Sequence, residues 1–97
     1  LMALDTVLFP PDAQDDFTVR MRNVHCFVGA KRLADGSYAG VQRLLFSMAI
    51  CVGTTEGRAY TRRFCYDDAA VCVAEFEKIA SIDSVPEDMI ATRPPII

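Results

Sequence analysis

The sequence predicts an α+β fold: a three-stranded antiparallel meander over residues 17–66, room for a fourth short strand, and one helix over 67–81 packed on one face. Three observations lead there. Residues 17–66 read as alternating apolar runs broken by two turn signals, Asp35-Gly36 and Thr55-Glu56-Gly57. Beyond Tyr66 the apolar spacing lengthens to that of a helix. Proline pairs, Pro10-Pro11 and Pro94-Pro95, stop regular structure near both ends. The 97 residues make one domain, with an arm at 1–16 and a tail at 82–97.

In the arm, Leu4, Val7, Leu8 and Phe9 form an apolar cluster, with Leu8 and Phe9 docking it on the core. A two-residue loop at Asp35-Gly36 puts Ala34 opposite Ser37, and a three-residue loop ending at Gly57 puts Thr54 opposite Arg58. One face then carries Val19, Met21, Asn23, His25 and Phe27 against Val52, Ile50, Met48, Phe46 and Leu44. The third strand adds Tyr60, Arg62, Phe64 and Tyr66 to it. That face is the expected core. Val41, Leu44, Leu45, Met48 and Val52 also fit helical spacing, but a helix leaves Phe46 and Ile50 off the stripe, so the strand is favoured.

The helix runs from about Asp68 to Ala80, capped by Asp67, with Cys72, Phe76 and Ile79 as its apolar stripe and Glu75, Glu77 and Lys78 facing water. Ser81 to Asp88 turns through Pro86. Met89 to Thr92 is the candidate fourth strand, at a sheet edge.

Charge is unevenly placed. Arg20, Arg22, Lys31, Arg32, Arg43, Arg58, Arg62 and Arg63 face only Asp35 and Glu56 within 17–66, so a basic sheet lies between acidic flanks under a net charge of −3. Acidic flanks folding over the sheet would neutralise it; a bare basic face would instead attract polyanions. An apolar fraction of 52% is high for a 97-residue monomer and points to a subunit interface. No apolar run reaches the roughly 18 residues of a membrane span, and no basic start and apolar core of a signal peptide is present, so a cytoplasmic protein without membrane contact is expected. Cys26, Cys51, Cys65 and Cys72 lack paired spacing and read as reduced thiols rather than disulfide or metal ligands.

On the core face Asn23, His25 and Arg62, with Tyr60 and Tyr66 as an amphipathic wall, compose a candidate pocket for an anionic or aromatic small molecule. A core histidine with satisfied bonds and an arginine reaching an acid is the structural alternative. Cys26 beside His25 is no catalytic pair if both lie in a strand, where neighbours point to opposite faces. The second face presents Val24, Cys26, Leu45, Ser47 and Ala49 at its centre, bordered by arginines, and suits a homodimer interface. It has no central aromatics for bases to stack on, which ranks nucleic acid third.

Cys51-Val52-Gly53, then Gly57 to Tyr66, then Asp67-Asp68 and an alanine-rich helix to Ile79 resemble a unit of small orphan proteins from bacterial mobile genes, including integron gene cassettes. The resemblance spans about a third of the chain and implies a bacterial cytosolic origin, with no chemistry attached. The leading expectation is a self-associating binding module without catalysis, metal or cofactor. A small-molecule pocket between sheet and helix, with or without weak enzymatic activity, is the alternative.

Overall fold

Among the described residues, which are 8–9, 12–55, 59–87 and 89–93 of the computed structural model, regular structure starts at Asp15, whose carboxylate accepts from Thr18 N at 3.0 Å and Thr18 Oγ1 at 2.8 Å. That cap opens helix α1, Asp16–His25, with Asp16 in its first turn and Arg22 and His25 in its last, matching the helix dipole. Its buried residues are Thr18, Met21 and His25. Cys26 ends it at φ 60°, ψ 30°, and the Cys26 N–H donates to Met21 O. The expected first strand therefore divides into a helix and a short strand. Phe17, Met21 and His25 satisfy a two-residue period and a four-residue period equally, and the Asp15 cap decides between them.

Among the described residues five antiparallel strands follow: β1 Gly29–Arg32, β2 Tyr38–Arg43, β3 Met48–Gly53, β4 Arg62–Tyr66 and β5 Ala91–Arg93. Their order in the sheet is that of the chain. The α+β class, the antiparallel meander and the short C-terminal strand match the expectation, while the registers differ. Only Gly36 of the first turn has positive φ, at 89°, so Asp35-Gly36 is not the expected two-residue loop. Leu33 N donates to Ser37 O at 2.8 Å and closes a three-residue loop, with Asp35 Oδ1 accepting from Ser37 N at 3.0 Å. Arg32 consequently pairs with Tyr38. The expected second strand also divides, since Leu44 N donates to Ser47 O at 2.8 Å and turns the chain into β3. Glu56 and Gly57 of the expected Thr55-Glu56-Gly57 turn lie outside the described residues. Past it, Ile50 pairs with Phe64 and Met48 with Tyr66, a two-residue shift that keeps each side chain on its expected face.

The sheet has a core on each side. Ala39, Val41, Met48, Ile50, Val52, Phe64 and Tyr66 pack on helix α2, Ala69–Lys78, through Cys72, Phe76 and Ile79. Asp68 rather than Asp67 caps α2, accepting from Ala70 N at 2.9 Å and Val71 N at 3.2 Å. Lys31 Nζ donates to Phe76 O at 2.9 Å and Glu77 O at 3.3 Å, closing its last turn. Glu75, expected in water, is buried, accepting from Lys78 Nζ at 2.8 Å and Glu87 N at 2.9 Å.

Met21, Phe27, Tyr38, Ala49, Cys51 and Cys65 form the second core, which α1 covers. Phe9 joins it, donating its N–H to Val28 O at 2.9 Å. The second face is thus not a bare surface: Ala49 is wholly buried within the protomer. All six residues of β3 are buried, alternating between the two cores.

Candidate functional site

Where α1 ends, the chain must turn back onto the sheet, and the left-handed Cys26 makes that turn without glycine. His25 is thereby delivered to the second core, 6% exposed, its ring stacked on Phe27 at 5.1 Å and tilted against Tyr38 at 5.0 Å. Gln42, near the end of β2, holds this corner by donating Nε2–H to His25 O at 3.3 Å. From β4, Arg63 lies opposite Cys51 at 8% exposure, with Nη1 at 3.5 Å from Tyr60 Oη.

His25, Gln42, Tyr60 and Arg63 line a cavity of about 540 Å³ between the end of α1 and the sheet, with Val24 and Leu44 on its apolar side. Arg43 also lines it, and among the described residues no acidic residue does. Arg63 has no carboxylate partner among the described residues. Burial holds the His25 imidazole below its ordinary pKa, so it is neutral near pH 7. Among the described residues the cavity is therefore a concave, partly apolar site carrying two guanidinium charges, the buried one without a carboxylate partner.

Of the ligand-site residues expected from sequence, His25 and Tyr60 meet here. The others lie elsewhere. Asn23 is exposed on α1. Arg62 and Tyr66 point to the α2 side, where Arg62 Nη2 stands 3.8 Å from Asp83 Oδ1 and Tyr66 Oη donates to Glu87 O at 2.6 Å. Among the expected interface residues, Val24 and Cys26 border the cavity, Leu45 is exposed and Ser47 half-buried at the β2–β3 turn, and Ala49 is internal. Sequence reasoning missed Gln42 and Arg63. Of the adjacent pair Arg62-Arg63 one must face each side of a strand, which was a signal for Arg63; Gln42 gave none.

Cys26 and His25 both border the cavity, so their adjacency does not separate them as it would in a strand. Burial pushes the Cys51 thiol well above its usual range and that of Cys72 up to about 12, which keeps both protonated and inert. Among the described residues no group of three or more His, Cys, Asp or Glu side chains is placed to hold a metal ion, and no helix is long and apolar enough to cross a membrane. No family model, curated protein or solved structure matches the chain.

Proposed function

We propose that the protein binds a small organic anion of the carboxylate type in the cavity between α1 and the sheet, without turnover. One observation carries the reading: Arg63 brings a charge to 8% exposure with no carboxylate partner among the described residues. A buried unpaired charge costs several kcal/mol, about what a bound carboxylate would recover through charge-assisted hydrogen bonds. The cavity's volume of about 540 Å³ lies in the range of small-molecule sites. Binding is favoured over turnover because, among the described residues, no carboxylate lines the cavity to orient His25 as a base.

Calorimetric titration of benzoate and phenylacetate into the protein, and into Arg63→Met, tests the reading. Binding to the wild type and a loss of at least about tenfold in the variant are expected. Without ligand the variant should be as stable as wild type or more so, because a methionine removes an unpaired buried charge. Equal binding to both proteins, or none to either at millimolar ligand, refutes it.

Self-association is a second reading, supported by Leu45 and Phe46, 85% and 88% exposed at the β2–β3 turn, and not by the second face, which α1 covers. Light scattering at micromolar protein should then give twice the chain mass, and a monomer would refute it.

A further inference from the structure

Three buried side-chain atoms, His25 Nε2, Gln42 Oε1 and Arg63 Nε, have no hydrogen-bond partner among the described residues, and all three residues line the same cavity. Buried polar atoms without partners are few in folded proteins, so three around one cavity mark it as a place where a ligand's polar groups can be met. Their chemistry limits what those groups are. Arg63 Nε–H can only donate. The Gln42 amide is fixed by His25 O: a carbonyl only accepts, so Nε2 must face it, at 3.3 Å, and Oε1 is left as an acceptor. His25 Nε2 adapts, since the neutral ring donates or accepts there according to its tautomer.

A plain carboxylate or sulfate offers acceptors alone, and so would satisfy Arg63 while leaving Gln42 Oε1 without a donor. An ammonium donor would enter a cavity lined by the Arg43 and Arg63 guanidiniums, with no acid among the described residues of its wall. The donor is therefore uncharged. We infer that the ligand is a hydroxylated organic anion, its carboxylate taken by Arg63 and its neutral hydroxyl donating to Gln42 Oε1. This rests on the anion-site reading and goes beyond it by naming what the anion must also carry. The atoms are buried in the free protein, so small turns of the Gln42 and Arg63 side chains bring them to the ligand.

The test compares matched probes by calorimetry: benzoate with its 2-, 3- and 4-hydroxy derivatives, and phenylacetate with mandelate and phenylglycine, the last bearing an ammonium in place of the hydroxyl. At least one hydroxylated acid should bind about tenfold more tightly than its parent, and phenylglycine should bind more weakly than mandelate. In Gln42→Met the ratio of hydroxylated to parent affinity should fall to about one, whatever the variant does to the parent acids themselves. Parents that bind as well as every hydroxylated acid overturn the inference and leave the anion site standing. An advantage that survives in Gln42→Met also overturns it, since the hydroxyl then bonds elsewhere. Failure of every probe to bind removes the anion site and the inference together. The wild-type comparison decides even if Gln42→Met fails to fold.

Discussion

The Phe27 ring occupies the space that a Cβ on Gly40 would need: three of its carbons lie within 3.0 Å of that position. Gly40 is in β2, paired to Ala30 on one side and Cys51 on the other, so its backbone has little room to retreat. Tyr38 covers Gly53 in the same way across the β2–β3 pair. Glycine is required at both positions by close approach of a ring rather than by backbone angle.

Gly40→Ala should therefore destabilise the protein by about 2 kcal/mol, the usual scale of overpacking, although alanine suits a strand better than glycine does. Urea unfolding measures it. Adding Phe27→Leu should restore part of the loss, because the two substitutions act on one contact and will not add. A Gly40→Ala protein as stable as wild type would mean that the ring moves aside freely.

His25 supplies a pH test that carboxylates do not obscure. Burial lowers its pKa in the folded state, so the folded protein binds fewer protons than the unfolded chain, whose histidine titrates near about 6.5. Its contribution to stability is complete above about pH 6.5 and is lost as pH falls from there to the folded value. Asp15, Asp35 and Glu75, all held below the usual carboxylate range by hydrogen bonds, titrate lower still. Urea midpoints for wild type should fall between pH 7 and 5, and those of His25→Phe should stay level. Parallel curves for the two proteins would disprove it.

Cys26 holds a left-handed conformation that costs a non-glycine residue about 1–2 kcal/mol. Its side chain is exposed, so little packing depends on it. Cys26→Gly should raise stability by about 0.5 kcal/mol, the strain relieved exceeding the extra freedom of glycine in the unfolded chain. A lower thermal midpoint in the variant would show that the Cys26 side chain makes a contact worth more than the strain.

The sequence carried the sheet's centre and lost its first third. Ile50, Phe64 and Tyr66 fell on the right face because a two-residue shift preserves side-chain parity, whereas the one-residue difference at Ser37 reverses it. Two strands of about eighteen residues were themselves a warning, since strands are usually about five or six. The turn at Leu45 and Phe46 has no Gly, Pro, Asn or Asp to mark it, and apolar residues hid it. His25 and Tyr60 reached one site although the registers that first joined them were wrong. Arg63 and Gln42 are brought there by the β4 pairing and the end of α1, which are tertiary facts that local pattern does not encode.

β3 is the wall that both cores share, its Ala49 and Cys51 turned to α1 and its Met48, Ile50 and Val52 to α2. Neither helix can leave without wetting one side of this strand, and a wetted β3 no longer fits the opposite layer. The molecule should therefore melt as one cooperative unit despite its two cores. Amide hydrogens of β3 would then exchange with solvent only when the whole chain opens, which makes their exchange free energy a reading of global stability.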